Sequence, residues 1–141
     1  MICLEIKRIG LASSIVEFKA LREDIIAYIH ELSGVKDTIF IVIDNASASN
    51  TMSKLSSQTQ INQNFLNTDM MIFIFGEKIG KYTQMEWDFL LPSKKKTLIV
   101  YRHYFKSHTI DTLDINPVYH HIKDIDSASI EDLFEWIRTH I

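Results

Sequence analysis

Residues 70–75 read Met70-Met71-Ile72-Phe73-Ile74-Phe75, and this apolar run decides the fold class. A strand with one face in water alternates apolar and polar side chains, whereas every side chain of this run is apolar. Residues 39–43, Ile-Phe-Ile-Val-Ile, form a second run of the same kind. Strands that are apolar on both faces are typical of parallel sheets with helices on either side. The two runs therefore predict a parallel α/β sheet.

Helical patterns alternate with these strands along the chain. The apolar positions of the first predicted helix recur at steps of three and four, at Phe18, Leu21, Ile25, Ile29 and Leu32. Ser14 and Glu17 precede it in the S-x-x-E pattern of a capping box. Further strands are predicted at 9–12, 98–101 and 118–125, and further helices at about 58–67, at about 82–91 and from Ser129 onward.

This order predicts a single α/β domain over residues 1–141, with a five-stranded parallel sheet in a three-layer, flavodoxin-like arrangement. We expect the strand isoleucines to be deeply buried, namely Ile41, Ile43, Ile72, Ile74 and Ile99. Such sheets bind ligands at the carboxyl ends of their strands. The residues that follow the strands are therefore candidates for a site, namely Ser13 and Ser14, Asp44 and Asn45, 76–83, and Arg102 with His103.

The composition excludes several classes of protein. With 46% hydrophobic residues, 23% charged residues and a net charge of −3, the chain is neither intrinsically disordered nor a basic nucleic-acid binder. Cys3 is the single cysteine, so no internal disulfide is possible. No apolar stretch approaches the roughly 18 residues of a membrane span, and the first residues lack a signal-peptide pattern. We therefore expect a cytoplasmic protein that binds neither nucleic acid nor membranes.

The motifs of common nucleotide and metal sites are incomplete. Residues 76–83 have three residues between their glycines and Tyr82 after the lysine, whereas a P-loop needs four residues and then Ser or Thr. The dinucleotide pattern G-x-G-x-x-G is absent. His120 and His121 are adjacent, so on a strand they would point to opposite faces, and no histidine pair has metal-ligand spacing. We therefore expect no metal and no resident cofactor.

Glu86 is the sharpest catalytic candidate, because it follows the third predicted strand and its loop. A carboxylate there would lie over the strand ends. Thr83-x-x-Glu86 also fits a capping box, and an acidic residue in a first helical turn is favoured by the helix dipole. Spacing alone favours the cap over catalysis.

Three short blocks of sequence stand in order around these candidates. The first block is 9–14 with Glu17-Phe18 and Leu21-Arg22. The second is 58–62 with Thr68-Asp69, and the third is Phe75-Gly76 with 80–83 and Glu86. Together they resemble bacterial TIR-like domains. That family has an A-S-S turn before a helix with a conspicuous Arg, a Gln and Asn before a Thr-Asp, and a G-x-Y-T motif with a glutamate three residues on. The resemblance covers about residues 9–105.

The resemblance implies an activity and a site. Enzymatic TIR domains cleave the bond between nicotinamide and ribose in NAD+, as glycohydrolases or as cyclases. Their catalytic residue is a glutamate of the third helix, and the match here is Glu86. The implied substrate-binding residues are Ser13, Ser14, Asp44, Tyr82, Thr83 and Trp87. NAD+ is then a substrate and not a cofactor. The implied partners are a second copy of the chain or another TIR-containing or effector protein, in bacterial signalling or antiphage defence.

A single carboxylate is sufficient for this chemistry. Loss of nicotinamide leaves an oxocarbenium-like ribose, which a nearby anion stabilises. Nicotinamide is a cationic leaving group in NAD+, so neither a general acid nor a metal is needed. Two alternatives stay open: a TIR-type interaction module without catalysis, and an enzyme like the nucleoside deoxyribosyltransferases, which also use a carboxylate at a ribose.

Overall fold

A computed structural model describes residues 4–14, 17–35, 37–44, 54–76, 80–102, 113–126 and 128–141. Cys3, Asn45, the rest of 45–53, residues 77–79 and His103 lie outside these described residues. The strands are β1 (Glu5–Ser13), β2 (Thr38–Asp44), β3 (Met70–Phe75), β4 (Thr97–Tyr101) and β5 (His120–Asp124). The helices are α1 (Lys19–Leu32), α2 (Lys54–Leu66), α3 (Lys81–Leu90) and α4 (Ile130–His140), with a 3-10 turn (Leu91–Ser93) after α3. In the described part of the chain, no helix has the length and apolar character needed to cross a membrane.

The five strands form one parallel sheet in the order β2-β1-β3-β4-β5. The chain moves outward from β1 to β2 and then returns to place β3 on the other side of β1. This is the flavodoxin-like strand order, so the predicted fold class is confirmed. In such sheets the carboxyl ends of the strands beside the reversal, here β1 and β3, flank the usual ligand-binding crevice.

Two apolar clusters hold the helices on the two faces of the sheet. On one face Ile25 and Ile29 of α1 and Ile137 of α4 pack with Ile72 and Ile74 of β3. The cluster on the other face joins β3 to α2 and α3 through Phe65, Met71, Phe73, Phe75 and Trp87. Successive side chains of a strand point to opposite faces, so the central strand β3 serves both clusters. That double burial explains why β3 is apolar at every position.

The second apolar run is not buried as predicted. Ile72, Ile74 and Ile99 are at most 1% exposed, but Ile41 is 40% exposed and Ile43 is only partly buried. The reason is the strand order, because β2 is an edge strand and only Phe40 of this strand lies among the core residues. Hydrophobicity alone does not distinguish an edge strand from a central one when both are apolar throughout.

The ends of several elements differ from the sequence-based prediction. β1 begins at Glu5, four residues earlier than predicted, and ends at Ser13, one residue later than predicted. The polar first half of β1 is part of the strand because it pairs with β2, in a register that begins with Glu5 opposite Thr38. β5 begins at His120, two residues later than predicted, because Asn116 to Tyr119 closes a hydrogen-bonded turn.

Serine hydroxyls accept backbone N–H groups at the start of α4 and just before α1, but only the first of these serines is a helix cap. Ser129 caps α4, since its hydroxyl accepts the backbone N–H of Asp132 at 3.2 Å, and this prediction is confirmed. The Ser14 hydroxyl accepts the N–H of Glu17 at 3.3 Å, but α1 begins only at Lys19. The Ser14 bond therefore closes the turn that precedes the helix and does not cap the helix itself.

Replacing equivalent isoleucines on β3 and β2 tests the difference in burial. Ile74→Ala should lower the free energy of unfolding by about 2–5 kcal/mol, because it leaves a cavity in a closed core. Ile41→Ala should cost about 1 kcal/mol or less, because that side chain already contacts solvent. Urea unfolding of the parent and both variants measures the two costs. Equal losses would contradict an edge position for β2.

The adjacent histidines of β5 face opposite sides of the sheet, as predicted. His120 is buried against Trp87 of α3, with 5.0 Å between ring centroids, and its Nδ1 accepts the backbone N–H of Asn116 at 3.0 Å. His121 stacks at 4.5 Å on His140 of α4. Burial lowers the pKa of His120 by more than the opposing charge of Asp114 raises it.

That lowered pKa makes stability depend on pH in a defined direction. The unfolded chain binds a proton at His120 more readily than the folded protein does. The resulting stability is present above the ordinary histidine pKa of about 6.5 and is lost as the pH falls below it. His120→Asn removes the titration but keeps an oxygen that can accept the Asn116 N–H. Urea unfolding from about pH 7.5 to about pH 5 should show a shallower loss of stability in the variant than in the parent. Equal slopes would contradict a buried, neutral His120.

Candidate functional site

The carboxyl ends of the strands bring several of the predicted residues to one edge of the sheet. Ser13 is the last residue of β1 and Asp44 is the last residue of β2. Ser13 is 1% exposed, whereas Asp44 is only partly buried. Parallel pairing places these ends side by side, so chain segments far apart in sequence contribute to the same region.

Arg22 of α1 occupies this region with a buried positive charge. The residue is 4% exposed, and its Nη1 donates a hydrogen bond of 2.6 Å to the Ser13 hydroxyl. Its Nη2 lies 3.8 Å from Oδ1 of Asp44. The guanidinium therefore ties α1 to the ends of both β1 and β2.

Burial and nearby carboxylates shift the pKa of Arg22 in opposite directions. Burial lowers the pKa of Arg22, and the negative charges of Asp44 and Glu86 raise it in opposition. An arginine side chain does not lose its proton in a protein, so the guanidinium remains a cation there. A buried cation is costly unless it is paired, and Asp44 supplies an ion pair at 3.8 Å.

Glu86 is the third charged member of this group. Its side chain is 0% exposed, and its charge is near enough to raise the pKa of Arg22. It is the sixth residue of α3, hence in the second helical turn, and α3 packs against β1. We define Arg22, Asp44 and Glu86 together as the buried charge triad.

The predicted capping box of α3 is wrong. The N-cap residue is Gly80, and no side chain makes a cap hydrogen bond there. Thr83 and Glu86 instead lie on the buried stripe of the helix, with Thr83 5% exposed. Because the helix begins two residues before Thr83, the spacing that suggested a cap falls inside it. Helix capping therefore does not explain why a glutamate is present at position 86.

The other predicted site residues take different places. Ser14 is half-buried beside Ser13, at the surface edge of the same region. Tyr82, in the first turn of α3, is 36% exposed, and the Lys81 ammonium lies 5.9 Å from its ring centroid. Trp87 is in the core, where it makes edge-to-face contacts with Phe73 and Phe75. The structure thus brings Ser13, Ser14 and Asp44 to one edge of the sheet, and Glu86 is near enough to act electrostatically on Arg22 there. Trp87 contributes to packing.

A second pair of charged residues lies above β3 and β4. Glu17 is 4.0 Å from Arg102, the residue after β4, and both side chains are about a third exposed. The Arg102 guanidinium also lies 5.1 Å from the Phe18 ring. A Cβ at Gly76 would come within 2.2 Å of the Glu17 carboxylate, so glycine lets this carboxylate rest on the end of β3. An exposed pair of this kind contributes only about 0–1 kcal/mol to stability.

A cleft of about 350 Å³ opens at the ends of β4 and β5, between α1 and α4. Its walls include Leu21, Arg102, Asp126 and Ser129. Glu86 does not border it, so this space is separate from the buried charge triad. Among the residues that the structure describes, no cluster of three or more His, Cys, Asp or Glu side chains could hold a metal ion.

Arg22 was named from sequence only as part of a family resemblance and was given no role in the site, although a second signal was present. The buried positions of α1 include Arg22, Ile25, Ile29 and Leu32, which continue the helical repeat from Phe18. A charged residue on an otherwise apolar stripe is a candidate for a buried ion pair. The prediction instead placed Leu21 on that face, and Leu21 is only partly buried.

Comparisons with known proteins give matches by structure only. No protein-family model matches the chain, and no curated protein matches it. The CMP N-glycosidase BcmB of Clostridium botulinum is similar over 96% of this chain and 100% of its own, with a TM-score of 0.67 and 15% identity. A conserved protein from Enterococcus faecalis V583 is similar over 96% of this chain and 99% of its own, with a TM-score of 0.60 and 15% identity. At this identity the similarity establishes the fold.

The two serines at the end of β1 should differ in their contribution to stability. Ser13→Ala removes a buried hydrogen bond to a charged group and should cost about 1.5–3 kcal/mol. Ser14→Ala removes a half-buried bond to a backbone N–H and should cost about 1 kcal/mol. Urea unfolding at neutral pH ranks the two variants. If Ser13→Ala were the milder change, Ser13 would not anchor Arg22.

Proposed function

We propose that the protein is a glycohydrolase that cleaves the N-glycosidic bond between nicotinamide and ribose in NAD+, with Glu86 as its catalytic carboxylate. The observation that carries the proposal is a glutamate that is wholly buried, that acts electrostatically on the buried Arg22, and that helix capping does not explain. Ionisable groups in such surroundings are concentrated at functional sites. The position also agrees with the ligand-binding edge of a flavodoxin-like sheet.

Two lines of similarity support a reaction at a ribosyl carbon. The sequence blocks around Ser13, Thr68 and Glu86 resemble NAD-cleaving TIR-like domains. The fold is similar to that of BcmB, which is a CMP N-glycosidase. The shared element is departure of a base from a ribose, and the first resemblance favours nicotinamide as the base.

The proposed reaction needs one anion beside the sugar. The bond between C1′ and the nicotinamide nitrogen breaks, and its electron pair neutralises the pyridinium ring. Positive charge then develops on C1′ and the ring oxygen of the ribose, where the Glu86 carboxylate would stabilise it. A water oxygen bonds to C1′ and releases a proton, which gives ADP-ribose. Tyr82, with its exposed ring, and Ser14, at the edge of the region, are the proposed substrate contacts.

The burial of Glu86 sets a condition on this mechanism. A side chain that is 0% exposed touches no substrate until its surroundings move. The proposal therefore requires that nucleotide binding uncovers the carboxylate. Exclusion of water around the reacting sugar would then strengthen the electrostatic effect of Glu86.

Nucleotide cleavage at a different base is the second candidate function. The structural similarity to a CMP N-glycosidase favours it. It uses the same carboxylate and the same charge at the sugar, but the base of CMP is uncharged, so it must take up a proton as it leaves with the electron pair of the bond. NAD+ and CMP are therefore compared in the same assay, through release of nicotinamide and of cytosine.

Two matched substitutions on α3 test the role of Glu86. Glu86→Gln keeps the size of the side chain but removes the anion, and it should reduce kcat/KM by about 100-fold or more. Asp88→Asn makes the same change at an exposed position of the same helix, where Asp88 accepts a hydrogen bond of 2.8 Å from Gln84. The control variant should keep the parent's activity. Thermal unfolding of each protein confirms that it is folded before its activity is compared.

Three outcomes would contradict the proposal in different ways. A folded and fully active Glu86→Gln protein would exclude Glu86 as the catalytic carboxylate. Cytosine release without nicotinamide release would replace NAD+ by a CMP-like substrate. No cleavage and no base exchange at any protein concentration would favour a non-catalytic interaction module. Each protein is assayed over a range of concentrations, so that a site completed by a second copy is detected.

A further inference from the structure

We propose that the cleft between α1 and α4 is a binding site for a phosphomonoester, that is, for a phosphate group carried on a small organic molecule, with Arg102 as the anchoring cation. The cleft lies at the carboxyl ends of β4 and β5, and no member of the buried charge triad borders it. The inference therefore goes beyond the proposed function and stands whether or not NAD+ is cleaved at Glu86.

The cleft has the size and the walls of a site for a small ligand. Its volume of about 350 Å³ falls at the lower end of the range that is usual for such sites. Its polar members are Arg102, Asp126 and Ser129. Apolar side chains form the rest of the wall, namely Leu21, Ile125, Ala128, Ile130 and Leu133. An apolar wall with a few polar groups suits a ligand that has an organic body and a charged end.

Arg102 supplies the positive charge of the cleft and is held in place by two neighbours. Its backbone N–H donates a hydrogen bond of 3.2 Å to the carbonyl oxygen of Phe75, which fixes the main chain at the end of β4. Its guanidinium carbon lies 5.1 Å from the centroid of the Phe18 ring, a distance at which the ring attracts the cation. A guanidinium that rests on a ring still presents N–H donors along its edge. The cation is therefore positioned at the cleft and remains able to bind an anion.

The protein itself does not satisfy this guanidinium. Nη1 of Arg102 lies 4.0 Å from Oε1 of Glu17, which is longer than a hydrogen bond. Nε of Arg102 is buried, and within the described part of the chain it has no hydrogen-bond partner. Buried donors in native proteins nearly always have a partner, so this donor is explained by an acceptor that a ligand brings. Phosphate oxygens are suited to the role, because they bind arginine through two N–H groups at once.

The carboxylates around the cleft determine where the phosphate lies. Asp126 on the wall disfavours an anion beside it, so the phosphate belongs at the Arg102 end of the cleft. The side chains of Arg102 and Glu17 are 35% and 37% exposed, so their attraction is weakened by water. A phosphate carries up to two negative charges at neutral pH and therefore displaces the single carboxylate of Glu17. The N-terminus of α4 adds little, because its first turn contains Glu131 and Asp132.

Calorimetric titration with AMP, adenosine and inorganic phosphate tests the class of ligand. AMP should bind at least about tenfold more tightly than adenosine, because adenosine lacks the group that hydrogen-bonds to the cation. AMP should also bind more tightly than inorganic phosphate, because only AMP has an organic part that contacts the apolar wall. Equal binding of adenosine and AMP would refute the anchoring role of the cation. Inorganic phosphate that binds as tightly as AMP would refute a phosphomonoester as the ligand.

Two matched arginine variants locate the binding on the protein. Arg102→Gln removes the cation and keeps a polar side chain, so the affinity for AMP should fall by about tenfold or more. Arg138→Gln makes the same change elsewhere on α4, at a side chain that is 48% exposed, pairs with Glu135 and does not border the cleft. This control should bind AMP as the parent does. A folded Arg102→Gln protein with the parent's affinity would overturn the inference.

Two further variants decide the question if Arg102→Gln does not fold. Glu17→Gln removes the carboxylate that competes for Arg102, so the affinity for AMP should rise by about two- to fivefold. An ion pair with a structural role alone would give no such gain. Ala128→Phe fills the cleft without a change of charge and should abolish AMP binding in a protein that circular dichroism shows to be folded. An affinity that stays unchanged in either variant, or that falls in Glu17→Gln, would overturn the inference.

Discussion

A buried guanidinium that joins one helix to the ends of two strands is the constraint around which this edge of the sheet is organised. Arg22 belongs to α1, donates a hydrogen bond to Ser13 of β1 and lies 3.8 Å from Asp44 of β2. Three elements are therefore linked by one cation, and the charge of Glu86 on α3 acts on it as well. Apolar packing of the two clusters would tolerate small shifts of the helices, whereas a buried ion network holds its members to close distances.

The functional proposals depend on this network for a physical reason. An exposed glutamate could be explained by solubility or by a helix cap, and it would carry little information. Glu86 is wholly buried and sits beyond the first turn of α3, so these explanations do not apply. Buried ion pairs are weak evidence for stability, because apolar residues of similar size often serve better. A buried carboxylate at the crevice of a flavodoxin-like sheet is instead what the proposed reaction requires.

The sequence was sufficient to predict the architecture, because the central strands and the helices carry strong periodic signals. The apolar runs predicted β3 and β4 within one residue, and Ser129 marked the start of α4. The order of strands in space is a tertiary property, so the exposure of Ile41 on an edge strand was not predictable from its neighbours in sequence. The same holds at the site. Glu86 and Arg22 each stood in a sequence block, but the effect of one charge on the other depends on the folding of α1 and α3 onto the sheet and was not predictable from the blocks.

The buried stripe of α3 has a consequence for redesign of this scaffold. Thr83, Glu86, Trp87 and Leu90 lie on one face of the helix, and the residue next to the glutamate packs against Phe73, Phe75 and His120. The helix therefore cannot rotate to re-aim its carboxylate without unpacking the aromatic cluster. New specificities are more accessible through Ser14 and Arg102, which follow β1 and β4, are only partly buried and belong to neither apolar cluster. The scaffold separates a fixed acidic position from an adaptable rim, and libraries directed at that rim would leave the core intact.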